Sequence, residues 1–242
     1  MISVFEALAR AFRDLFNLRV LWVVIWPLLA ASVLWLALGW LFWETISGWI
    51  AAGLAHLGIL DWLDGIEPRW IANGVQALLH LMLYPLLIVM TALLITALFA
   101  MPALIRVVAE RDYPDLERAS GGGFAGSLVN ALIAIVLFAG IWLLTLPLWL
   151  LGIGVIVPFI AAAWLNQRLF RYDAIAEHAR RDEMQTLFKQ QRAGWWGLGL
   201  LTGLVQWVPL LNLLGPVLAA LAFIHYGLAR VQALRLRPPP AV

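Results

Sequence analysis

Cysteine is absent from this 242-residue chain, which excludes disulfides and thiolate metal sites. Charge is scarce. Asp, Glu, Lys and Arg make up 12% of the residues, against about 25% in a soluble domain. No nucleophile triad, phosphate-binding loop or zinc-protease motif is present. The run Gly121-Gly122-Gly123 lacks a following Lys-Ser or Lys-Thr and reads as a flexible joint. These absences argue against an enzyme, ATP hydrolysis, a cofactor, a catalytic residue and a nucleic-acid partner. The start of the chain does not read as a signal peptide, because Glu6, Arg10, Arg13 and Asp14 are interleaved with apolar residues.

What is abundant is apolar. The hydrophobic fraction is 64% and the mean hydropathy is +0.91, which makes this an integral membrane protein. The formal net charge of +2 says little about partners. Of the 14 tryptophans, Trp22 and Trp26 near one end of the first span, with Trp40 and Trp43 at the other, suit two interfacial belts.

The sequence predicts an all-α membrane domain over residues 1–230 and a cytoplasmic tail over 231–242. Residues 2–16 read as an amphipathic helix on the membrane. Phe5, Leu8, Phe12 and Leu15 recur at helical spacing, with Glu6, Arg10, Arg13 and Asp14 polar. Two long spans follow, over 20–43 and 70–105. Pro27 is a candidate kink in the first, and Pro85 and Pro102 mark a kink and an end in the second. The stretch Ile46–Leu60 between them reads as an interfacial helix.

Two uncharged runs remain, 128–165 and 195–229. The second is about 35 residues long, too long for one span of about 20 residues and short for two. Pro209, Gly215 and Pro216 interrupt it. It reads as a hairpin with arms of about 12–15 residues, a length for re-entrant rather than spanning segments. The first run has a similar break, Pro147 to Gly154, with longer arms. Both are read as hairpins of one kind, a weak internal repeat, hemi-penetrating by the short arms of the second, with six full spans the alternative that charge does not separate. Basic residues cluster outside the 44–69 connection, which places both termini on the cytoplasmic side.

Candidate site residues follow from this layout. Arg19 stands at the mouth of the first span, as an anion contact or a headgroup anchor. Asn212 is placed to cap the second arm of the second hairpin. That would leave the amides of Leu213, Leu214 and Gly215 facing an anion. Gly152 and Gly154 hold the equivalent place in the first tip. His80 and His225 lie within apolar runs, as proton relays or as neutral rings bonded between helices. Asp173, Glu177 and His178 sit close on a charged helix. With Arg171, Arg180 and Arg181 nearby, they read as a salt-bridged face rather than a metal site.

Several stretches are similar to one known family. They are Leu18-Arg19 ahead of Pro27-Leu28-Leu29, and Gly152-Ile153-Gly154 with Pro158. Ala163-Trp164-Leu165, Tyr172-Asp173 and His178 follow, and then Val208-Pro209-Leu210-Leu211-Asn212-Leu213 with Pro216. In order and spacing the chain resembles the CysZ-type bacterial sulfate permeases, which share a domain with the etoposide-induced membrane proteins. The resemblance implies two long spans, two hemi-penetrating hairpins, homo-oligomers and sulfate uptake. It also implies sulfate contact by a Gly-Leu-Arg-Arg-like stretch. Here that stretch reads Asn17-Leu18-Arg19-Val20, and Arg19 alone carries over.

Two functions stand open at this point. One is a channel-like or secondary transporter of a small inorganic anion, most naturally sulfate, in a bacterial inner membrane. The other is a non-transporting membrane adaptor that works through its amphipathic helix and charged segments.

Overall fold

Helices outlast the apolar runs that announce them. The computed structural model describes residues 2–119, 121–149, 156–205, 208 and 214–236. Among these residues the chain is helical with no strand. The helices are α1 (Val4–Asp14), α2 (Leu18–His56), α3 (Ile59–Asp64) and α4 (Arg69–Asp112). They continue with α5 (Phe124–Trp149), α6 (Ile156–Ala176), α7 (Arg181–Gln190), α8 (Arg192–Val205) and α9 (Gly215–Arg235). Four of them, over Leu18–His56, Arg69–Ala92, Ala125–Thr145 and Gly215–Arg235, are long and apolar enough to cross a membrane. The chain is thus an all-α membrane protein.

The expected ends of the elements shift for one reason. A charged residue ends an apolar run without ending a helix, since Arg, Glu and Gln are good helix formers. The helix that holds the first expected span runs past Trp43. The helix continues to His56 and bends at Phe42, whose backbone is non-helical (φ −127°, ψ 30°). No break is recorded at Pro27. The separate interfacial helix over 46–60 is therefore the distal arm of α2 followed by the short α3. Likewise α4 passes through Pro85 and Pro102 and ends at Asp112.

Clustering divides the chain into two compact units, residues 22–100 and residues 1–21 with 101–242. In the 22–100 unit, α2 and α4 are stitched by aromatic side chains. Trp26 meets Phe99 edge-on at 6.3 Å, Trp35 Nε1 donates to Thr91 Oγ1 at 2.9 Å, and Trp43 stacks on Tyr84 at 6.0 Å. Each advance along α2 is matched by a similar retreat along α4, as antiparallel helices require. Gly39 lets Tyr84 approach, because a Cβ there would fall 2.7 Å from the tyrosine oxygen.

The other unit is built on α9, which is enclosed by α1, α6 and α8. Trp195 of α8 is fully buried, stacks on Phe223 at 6.0 Å and meets Tyr226 edge-on at 5.0 Å. Its Nε1 donates to the Leu187 carbonyl at 3.2 Å, so the buried indole leaves no orphan donor. The two hairpins have unequal arms. α8 has 14 residues, about 21 Å and short of a hydrocarbon core of about 30 Å. α9 has 21 residues, not the 12–15 expected, because Arg230 closes the apolar run while the helix runs on. The Gly121–Gly123 stretch is not a free joint. Gly121 and Gly122 donate to the carbonyls of Ala179 and Ala176 at 2.9 and 3.0 Å. Gly121 lies against backbone at residues 179–181, where any side chain would collide.

Candidate functional site

The amphipathic helix docks by its small residues. Ser3 caps α1, its Oγ accepting from the Glu6 amide at 3.0 Å. Phe5 and Phe12 face outward at 72% and 46% exposure, as a lipid-facing stripe would. The inward face is Ala7, Ala11 and Asp14, all buried. Alanines at i and i+4 bring α1 close to α9, and the same face then carries the Asp14 carboxylate inside. Asp14 was expected on the polar face, and it is buried instead.

A buried carboxylate needs partners, and two segments far away in the sequence supply them. From α9, His225 Nε2 donates to Asp14 Oδ2 at 2.9 Å. From the end of α4, Arg111 Nη2 donates to the same oxygen at 2.6 Å. Arg111 also grips Asp112 as a fork, Nε to Oδ1 and Nη2 to Oδ2, both at 2.8 Å. Tyr113 donates to the His225 carbonyl at 3.2 Å. The remaining ring nitrogen, His225 Nδ1, has no hydrogen-bond partner and lies 3.7 Å from Asp112 Oδ2. The ring is bonded between helices, which is the second of the two expectations for His225. The side chain of His80 lies outside the described residues.

The electrostatics follow from the fork. The Arg111 hydrogen bond holds the Asp112 carboxyl below the usual carboxylate range, against the opposing effect of burial. Asp112 and then Asp14 hold the Arg111 guanidinium above its ordinary value. One atom each of Asp14, Asp112 and His225 lie within 4.8 Å of one another, a spacing a divalent ion could use. The Arg111 Nη2 bridging both carboxylates already supplies the positive charge there. The arrangement is an ionic knot joining α1, α4 and α9.

Arg19 behaves differently. The Asn17 Oδ1 accepts from the Arg19 amide at 3.0 Å, so Asn17 caps α2 and Arg19 lies in its first turn. The Arg19 side chain is exposed. Among the described residues no carboxylate or other acceptor is recorded for it. A free guanidinium beside a helix N-terminus favours an oxyanion twice over.

The remaining predicted positions are scattered. Gly152, Gly154, Asn212 and Leu213 lie outside the described residues. α9 begins at Gly215 with Leu214 as its capping position and no side-chain cap; the cap expected at Asn212 lies outside the described residues. Pro216 in the first turn sets that start and has no N–H to offer an anion. The salt-bridged face expected around Asp173 and Glu177 is not formed. Arg180 pairs instead with Asp182 and Glu183, and burial pushes the Asp173 carboxyl up while Ser127 opposes it. Burial likewise pulls His178 down.

The residues missed from sequence were Asp14, Arg111 and Asp112. The available signal was the Ala7, Ala11, Asp14 spacing on one face of a helix otherwise rich in large apolar groups.

The family described as sulfate transporter CysZ/etoposide-induced protein 2.4 matches residues 7–216. The chain belongs to this family. No curated protein matches it. The matched stretch includes Asp14, Arg19, Arg111 and Asp112, whereas His225 lies beyond its end.

Proposed function

We propose that this protein is a membrane permease for a small inorganic anion, with sulfate as the substrate, and that it performs no covalent chemistry. The supporting observation is family membership over residues 7–216. Arg19 adds to it, an uncompensated cation in the first turn of an apolar helix 39 residues long. In this reading Arg19 recruits the anion at the membrane face. Leu214 and Gly215, with Asn212, Leu213, Gly152 and Gly154 at the hairpin tips, border the path. Neutral donors there suit permeation, because an ion bound too tightly cannot leave. The protein works in a bacterial inner membrane with both termini cytoplasmic, as the basic residues imply. In this reading it works as a homo-oligomer, because α8, at 14 residues, is too short to cross and the backbone at its inner end then needs covering protein.

The test is uptake of labelled sulfate by liposomes holding the full chain. Sulfate should enter above the empty-liposome rate, and Arg19→Ala should weaken it by about tenfold or more, the value of one charge-assisted bond. Assembly of the variant is checked by its elution volume. Uptake no faster than in empty liposomes would reject the permease and leave the adaptor reading. Unchanged uptake by Arg19→Ala would make Arg19 a headgroup anchor.

A further inference from the structure

Arg168 and Arg171 of α6 and Arg192 of α8 are brought to one level by the packing of α6 against α8, with Arg171 in the field of the other two. The antiparallel packing of α6 and α8 sets their level. At Gly199 of α8 a Cβ would fall 2.6 Å from the Ala163 carbonyl and 3.0 Å from the Gln167 Cβ. Seven residues back along α8 is Arg192, and eight residues on along α6 is Arg171. Antiparallel helices in this register bring those two side by side, with Arg168 one turn before Arg171.

Each inner guanidinium is held by an aromatic ring rather than a carboxylate. Arg168 lies over Trp164 at 5.5 Å and Arg171 over Phe188 at 4.7 Å. Both are half-buried and Arg192 is exposed. Arg168 Nε is buried with no hydrogen-bond partner. Among the described residues none of the three guanidiniums has a recorded ion pair or hydrogen bond. Gln167, one turn before Arg171, is 2% exposed and its side-chain carbonyl has no partner. Asp173, the nearest acid along α6, has a buried Oδ1 without a hydrogen-bond partner and, among the described residues, forms no ion pair with any of the three. Burial, then the fields of Arg168 and Arg192, hold Arg171 below its ordinary value.

Like charges gathered in a half-buried place are costly, and cation–π contacts return only part of that cost. A counter-anion resolves the arrangement. We propose that Arg168, Arg171 and Arg192 form a binding site for a tetrahedral oxyanion, and that the headgroup phosphate of an anionic lipid is the source its depth favours. The depth is read from the sequence around it. The apolar residues of α6, from 156 to 165, stop just before Gln167 and Arg168, and those of α8 begin just after Arg192. The cluster therefore sits where hydrocarbon gives way to headgroups, with Trp164 at the interfacial level. Basic pockets between helices at this depth suit phospholipid headgroups, and the planar fork of arginine suits phosphate oxygens. The same three forks would accept free phosphate or sulfate.

The experiment is calorimetric titration of the full chain, stripped of lipid in a neutral detergent. The probes are dihexanoyl phosphatidylglycerol, dihexanoyl phosphatidylcholine, sodium phosphate and sodium sulfate. The variants are the double R168Q/R171Q, the single R192Q and, as a control on the exposed surface of α7, R181Q. Phosphatidylglycerol should bind the unmodified protein and R181Q alike. It should bind R168Q/R171Q at least tenfold more weakly and R192Q several-fold more weakly, with phosphatidylcholine much weaker throughout. R192Q changes only an exposed residue, so it answers the question even if the double variant is poorly folded. The same losses for phosphate or sulfate, without selectivity among the lipids, would assign the site to a free oxyanion. Binding of all four probes that neither R192Q nor a folded R168Q/R171Q alters would overturn the site. Arg19→Ala should leave this binding intact, so the failure of the permease reading and the failure of this site are told apart.

Discussion

Two apolar helices of this chain have comparable hydropathy and opposite surroundings. The α4 segment Arg69–Ala92 has a hydropathy of 1.8 and is 7% buried within the protein, whereas α9 has 1.5 and is 72% buried. The side chains of one are largely left uncovered by the chain. The other is wrapped by protein, and small residues let its neighbours approach. Without water, lipid tails are as apolar as leucine, so hydrophobicity alone cannot sort the two. Close packing and buried polar pairs do the sorting. α9 has both, in the Trp195–Phe223–Tyr226 stack and in the Asp14–His225–Arg111 knot.

The strongest way to break this contrast is to remove the centre of the knot. Asp14→Ala leaves His225 and Arg111 without the oxygen they share, and should cost about 2–3 kcal/mol, discounted because Arg111 is partly exposed. Thermal unfolding in detergent reads the loss, and hydrogen exchange should show the α1 amides losing protection first. Unaltered unfolding with α1 still protected would mean that the alanine face alone holds it.

A pair of glycines sharpens the contrast by the same substitution on either side. Gly199→Ala pushes a methyl into the α6 backbone and should destabilise by about 1–3 kcal/mol. Gly74→Ala, in the uncovered part of α4, meets nothing within 4 Å. It should be neutral or add up to about 1 kcal/mol through helix propensity. Equal effects at the two positions would contradict the packing difference.

The smallest effect is a pH dependence. Asp112 has a folded-state pKa below its ordinary value, chiefly through Arg111. A depressed carboxylate stabilises the fold fully above its unfolded pKa, near 4. That contribution fades as pH falls through the lower folded value. Unfolding temperature should therefore drop below about pH 4, and Asp112→Asn should lower it at neutral pH toward the acid value and so flatten that acid limb. A limb of the same slope in the variant would place the titration elsewhere.

Much of the fold was readable because a bilayer imposes few solutions. Apolar runs marked the helices. Helix ends were less readable, as α2 and α4 show, because lipid exposure stops at a charge and helical hydrogen bonding does not. The free cation Arg19 was legible from its place ahead of an apolar run. The ionic knot was not, since its members lie 97 and 211 residues apart.

Sequence by itself determined that the chain is an all-helical membrane protein, and its family, because composition and short motifs act over a few residues. Tertiary structure alone decided that Asp14 points inward, that α9 rather than α4 is enclosed, and that Arg168, Arg171 and Arg192 share one level. Those outcomes depend on which helix faces meet, and a helix of period 3.6 offers several faces of nearly equal hydropathy. Only the fit of small residues and the need to satisfy a buried charge choose among them.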